Sequence, residues 1–211
     1  WTPDHILTGV AYAVMTFKYD PKQFQGFPEM RFEVRGAPLY DPRKDDTAGG
    51  SGPHRFDDQD TWEYTENPVV MTYNIMRGIE LADGSIYGLG VDADDLPIGR
   101  WVAAMNVCDE LVPTPEGDEP RYRAGTEFSI DQEPLDVIEE ILKSCGGHIA
   151  ETGGAWNISV GPAPFPVASF TDESIIVSDP REFEPFRGLN QTYNGIHASY
   201  LNPDKNWQAR D

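Results

Sequence analysis

Between Phe32 and Asn67 a strand pattern, a long polar stretch and a helix start follow one another, and this succession restricts the possible folds more than any other feature. Met30, Phe32 and Val34 alternate with Arg31, Glu33 and Arg35, the period of a half-buried strand. Gly36 is placed where a turn or bulge would free the chain, and Leu39-Tyr40 is placed to pair briefly again. Residues 44–60 then carry almost no apolar side chain. The reading here is a flexible, exposed loop, with Arg55, Asp57, Asp58 and Asp60 as a possible partner contact. Its aspartates lack the register of a calcium loop. Asn67-Pro68 closes the stretch as a helix start. The amide oxygen caps free N–H groups, and proline at the first helical position loses no hydrogen bond. No residue in the stretch is placed as a catalytic nucleophile.

Upstream, residues 8–19 are rich in β-formers and read as a largely buried strand, ended by Asp20-Pro21. Downstream, Val69, Val70, Tyr73, Met76 and Ile79 fall at helical spacing. Asp92, Asp94 and Asp95 precede Pro97 and a second helix with the stripe Trp101, Ala104, Met105, Cys108 and Leu111. Residues 113–120 read as a turn-rich acidic loop and residues 121–130 as a strand, Tyr122, Ala124 and Phe128 on one face. Glu133-Pro134 opens a third helix with Leu135, Ile138, Ile141, Leu142 and Cys145 inward, closed by Gly146-Gly147. Thr152-Gly153-Gly154 lies between two strand patterns as a hairpin turn. Pro162, Pro164 and Pro166 mark an extended connector. Residues 174–177, 183–186 and 193–200 read as further strands. The implied class is α+β: a β-barrel-like or sheet module from residues 1–43 and 165–211, with a helix-rich module over 61–161 inserted.

Composition narrows the function. The 36 acidic residues outnumber the 16 basic ones, for a net charge of −20. A nucleic-acid-binding surface needs the opposite balance. Cys108 and Cys145 lack the paired spacing of a zinc site and read as buried free thiols, with a disulfide left open. No nucleophile elbow, phosphate loop or His-Glu-x-x-His motif is present, and His5, His54, His148 and His197 are scattered. No cofactor, metal or catalytic residue is assigned. Trp62, Trp101, Trp156 and Trp207 have the chemistry to stack on sugars, and core packing is the competing role. The chain starts at Trp1 and reads as an internal piece of a longer protein.

An ordered series of short motifs spans residues 24–207. It begins with Phe24, Phe27-Pro28, Phe32, Val34 and Gly36, then Tyr40-Asp41-Pro42-Arg43 and Tyr64-Thr65-Glu66-Asn67-Pro68-Val69. It continues with Ala103-Ala104, Cys108-Asp109-Glu110, Arg121-Tyr122, Gly146-Gly147 and Gly153-Gly154 followed by Trp156. It ends with Phe186, Asn190, Tyr200 and Asn202-Pro203. In this order the chain resembles the tail-tip or central hub proteins of long-tailed phages and gene transfer agents, the family of the lambda host-specificity protein. Glu66 and Leu189 depart from that pattern, which has Asp and Phe there.

The resemblance implies a structural part of a virion tail tip or baseplate hub, from a phage, a prophage or a gene transfer agent, assembled in the bacterial cytoplasm. It implies a homotrimer in the full-length protein. Other tail proteins (distal tail, tube, fibre) would be its partners. DNA would pass without specific binding, and host attachment would run through other domains. It carries over no catalytic residue. Two alternatives stand beside it: a cell-wall-degrading enzyme of the tail tip, and a carbohydrate-binding host-recognition module.

Overall fold

The computed structural model describes residues 11–18, 20, 22, 26–115, 117–162, 168–174, 188, 193–195, 197, 199–202 and 208–210. The chain divides into two units, Trp1–Ala163 and Pro164–Asp211. The described residues of the first form three helices and three antiparallel hairpins, so the class is α+β, with no closed barrel among the described residues.

Helix α1, Pro68–Arg77, is the centre of the first unit: eight of its ten residues are buried. A helix apolar nearly all round needs neighbours on several sides. It lies against both α2, Ile98–Asp109, and α3, Pro134–Lys143. Gly78 ends α1 with φ +96°. The hairpin β1 (Ile79–Glu80) and β2 (Ile86–Tyr87) then turns the chain back. The Leu89 and Val91 amides donate to the carbonyls of Ile75 and Met76, which satisfies the free carbonyl end of α1. This return path runs so close that a Cβ on Gly88 would lie 2.2 Å from the Ile75 carbonyl oxygen. The acidic residues Asp94 and Asp95 sit in a short 3-10 turn, Ala93–Asp95, before α2.

Trp101 of α2 is fully buried, meets Tyr73 of α1 edge-on at 5.5 Å and donates its indole N–H to the Trp156 carbonyl. Helix α3 buries Val137, Ile138, Ile141 and Leu142 and turns Asp136, Glu139, Glu140 and Lys143 to solvent. Leu135, expected inside, is exposed, and Val137 takes the inward position. Gly146, at φ +56°, and the Gly147 N–H to the Leu142 carbonyl close α3. Strands β5 (His148–Thr152) and β6 (Ala155–Ser159) pair in register through a turn at Gly153-Gly154, both with positive φ.

Several expectations are corrected. Residues 113–120 are not a loop. Leu111–Thr114 (β3) pairs with Gly117–Pro120 (β4), because acidic side chains on an exposed ribbon do not prevent backbone pairing. Residues 121–130 join no ladder among the described residues. The amides of Arg121, Tyr122 and Ala124 donate instead to the carbonyls of Glu110, Cys108 and Glu66. Tyr122, Ala124 and Phe128 still face the core while Arg121, Arg123 and Glu127 face solvent.

The expected strands at 8–19 and 30–34 differ more. Residues 11–18 and 28–36 join no ladder among the described residues, and Tyr12, Val14, Phe32 and Val34 are exposed. An apolar alternation supplies a strand only when a partner edge is present. Residues 8–10 and 19 lie outside the described set. Gly36 is exposed, and a Cβ there would meet nothing within 4 Å.

The second unit is described in part. It has a 3-10 turn at Asp172–Ser174 and a hairpin of Tyr200–Asn202 (β7) with Gln208–Arg210 (β8). The described residues between 193 and 199 carry no strand. The strands expected at 175–177 and 183–186 lie outside the described residues.

Candidate functional site

The polar stretch was expected to be a flexible loop. Most of its residues are exposed, but Asp45 and His54 are buried within it and tie it to its own unit through Tyr40 and Asp41. Two asparagines border it, Asn67 as the cap of α1 and Asn74 as the anchor of the Tyr40 backbone. The Asn67 side-chain oxygen accepts from the Val69 and Val70 amides (3.0 and 3.2 Å), and its NH2 donates to the Met105 carbonyl of α2 at 2.9 Å. The cap of α1 is therefore also a strut to α2. Asn74, seven residues further on, donates to the Tyr40 carbonyl (2.8 Å) and accepts from the Tyr40 N–H (3.0 Å). Its amide pairs with that residue's backbone as a neighbouring strand would. Leu39 and Glu63 exchange backbone hydrogen bonds beside it.

Around this anchor the charged groups neutralise one another. Asp41 caps the 3-10 turn Pro42–Lys44 through the Arg43 N–H, and its carboxylate meets the Arg43 guanidinium at 2.7 Å. Arg43 reaches on to Asp109 (2.7 Å) and Asn106 (3.1 Å) of α2. Its own burial works against the charge, but the hydrogen bonds and charge of Asp41, then Asp109, raise its pKa overall. Asp45, 3% exposed, accepts from the Tyr40 hydroxyl, the Thr47 N–H and hydroxyl, and Arg55. Burial pushes its carboxyl pKa up, yet the hydrogen bonds from Thr47 and Tyr40 and the nearby Arg55 charge outweigh that and lower it. Burial, then the hydrogen bond to Asp45, pushes the Tyr40 phenol the other way.

Beneath the charges lie Tyr40, Phe56, Trp62 and Tyr73, with ring centroids 5.4 to 6.3 Å apart along the contacts they make with Tyr40. The Arg77 guanidinium covers Phe56 at 4.1 Å. The Trp62 indole N–H donates to the Arg55 carbonyl at 2.7 Å. An open cleft of about 360 Å³ runs between Pro42-Arg43, residues 48–51, and Val102 and Asn106 of α2.

The four residues singled out as a partner contact fall into two groups. Arg55 turns inward, to Asp45, Asp46 and the carbonyls of Gly52 and His54. Asp57, Asp58 and Asp60 are exposed, and Asp58 caps the turn Gln59–Thr61 by accepting from the Asp60 N–H. Pro68 and Pro134 occupy the first turns of α1 and α3. Trp62 and Trp101 are buried, Trp156 is partly buried, and Trp207 lies outside the described residues.

Among the described residues, no group of three or more His, Cys, Asp or Glu is disposed to hold a metal ion. Sequence reading missed Asn74 and His54. An asparagine inside an apolar helix was the available signal for the first. A lone histidine in a polar stretch gave none for the second. No family model matches the chain, and no curated protein matches it either.

Proposed function

We propose that this chain is a structural module of a phage-like tail tip or baseplate hub, working by assembly rather than by catalysis. The observation that carries the reading is the behaviour of the motif series in three dimensions. Tyr40-Asp41-Pro42-Arg43, Asn67-Pro68 and Cys108-Asp109 are far apart in sequence, yet Arg43 bridges Asp41 to Asp109 and Asn67 bridges α1 to α2. Motifs that meet in this way support one architecture, the inserted helical module of a hub, more than a set of chance matches.

The exposed apolar residues Phe27, Phe32 and Val34 add support (83%, 57% and 71% exposed). In the proposed assembly residues 1–43 and 165–211 contribute to a β module completed with neighbouring chains and tail proteins around the tube. Threefold association follows from that reading. The exposed Asp57, Asp58 and Asp60 remain contacts for a neighbouring tail component. The net charge of −20 suits a conduit that does not retain DNA. No helix among the described residues is long and apolar enough to cross a membrane.

Light scattering on the complete hub polypeptide tests the reading. A mass of three chains is expected, and a monomer at high concentration would overturn it. Release of sugars or peptides from purified peptidoglycan would favour the cell-wall enzyme instead.

A further inference from the structure

We propose that His54 is a proton-sensitive latch: its neutral ring holds the polar loop against the Tyr40–Asp41 segment, and protonation of the ring releases the loop. This inference does not depend on the tail-hub reading.

His54 is 1% exposed. The Asp41 N–H donates to its Nδ1 at 3.1 Å, so Nδ1 carries a lone pair and the ring proton sits on Nε2. Nε2 has no hydrogen-bond partner. A second proton has only Nδ1 to go to. There it would face the Asp41 N–H, donor against donor, so the bond would be lost and a charge left in a buried place. The open loop removes both penalties, because the ring then reaches water.

The surrounding charges do not reverse this. Lys44 opposes a charge on His54, while Glu63, Asp41 and Asp45 favour one. Those carboxylates already have cations: Lys44 for Glu63, Arg43 for Asp41, Arg55 for Asp45. The Tyr40 ring, 6.3 Å away, stays neutral, its phenol pKa raised by burial, and the Arg55 guanidinium, which donates to the His54 carbonyl, adds a further positive charge. Burial dominates and lowers the His54 pKa below its ordinary value.

The sign follows from linkage. A histidine whose folded pKa is depressed contributes its full stabilisation above the unfolded value of about 6.5, and that contribution declines as pH falls below it toward the folded pKa. If the opened ring titrates at about 6.5 and the closed ring takes up no proton over this range, loop opening becomes at most about 10-fold more favourable between pH 7.5 and 5.5. Opening would uncover the Tyr40, Phe56 and Trp62 rings, so acid would expose an aromatic surface on an otherwise acidic molecule.

Hydrogen–deuterium exchange, corrected for the intrinsic effect of pH, reads this directly. The amides of Asp41, Asp45, Gly50, Ser51 and His54 should lose protection between pH 7.5 and 5.5, by up to about 10-fold, while those of α1 do not. In the His54→Asn protein the side-chain oxygen takes the place of Nδ1 as acceptor without titrating, and the loss should vanish. An equal acid response in the two proteins, or none in the unaltered one, overturns the proposal. A second reading needs no variant. The imidazole ¹⁵N shifts of His54 should show the Nε2–H tautomer and a midpoint below 6.5, and a midpoint at or above 6.5 overturns it.

Discussion

Two asparagines set the chemistry of the corner, and each does more than its position in a helix suggests. Asn67→Ala removes the acceptor for two amides and the donor to the buried Met105 carbonyl. The expected cost is about 2–3 kcal/mol, read as a fall in the urea midpoint at constant slope. Asn67→Asp separates the two roles. Aspartate is an equally good cap on an exposed helix, but here it would place a carboxylate against a carbonyl, so it should be no better than alanine. Asn74→Ala leaves the buried Tyr40 N–H and C=O without partners and should cost about 2–4 kcal/mol by the same measurement.

Tyr40→Phe withdraws one hydrogen bond from Asp45 and should raise that carboxyl's pKa, visible in a carboxyl NMR titration. The Asp45 contribution is present above the ordinary carboxylate range and is lost as pH falls through its depressed folded value, so the variant should lose stability at a higher pH than the unaltered protein. The Asn67 cap of α1 was legible because capping is local. Asn74 was not, because its partner is 34 residues away.

At the scale of elements, the loop from 44 to 60 shows how a polar composition misleads. It lacks apolar residues, yet Asp45, His54 and the Pro42–Lys44 turn fix it through hydrogen bonds and ion pairs that composition does not display. The close backbone crossing inside it can be tested. A Cβ on Gly50 would lie 2.4 Å from the Arg43 carbonyl oxygen, so Gly50→Ala should loosen the corner and cost about 1–3 kcal/mol, with faster exchange of the loop amides and little change in α3. The reverse holds at 30–34, where good strand alternation joins no ladder among the described residues.

Across the whole molecule, the buried core and the exposed apolar segments make different demands. Phe32→Asp and Val34→Asp should leave the melting temperature of the first unit within the scatter of surface substitutions, because these side chains are exposed here, yet should weaken self-association of the complete polypeptide by light scattering. Cys108 and Cys145 are free and fully buried. The hydrogen bond that Cys108 donates to Cys145, together with burial, holds the Cys108 thiol well above its ordinary pKa, so a thiol-specific reagent should react with it only on unfolding. The amino-acid sequence by itself determined the three helices, the Asn67 cap of α1 and the Gly153-Gly154 hairpin, because those signals arise within a few residues of one another. The tertiary structure alone decided that a polar stretch is a fixed corner, that Asn74 completes a backbone pairing and that His54 is sealed with one free ring nitrogen. Each of these depends on which distant group stands opposite, and the stretch between Phe32 and Asn67 does not carry that information.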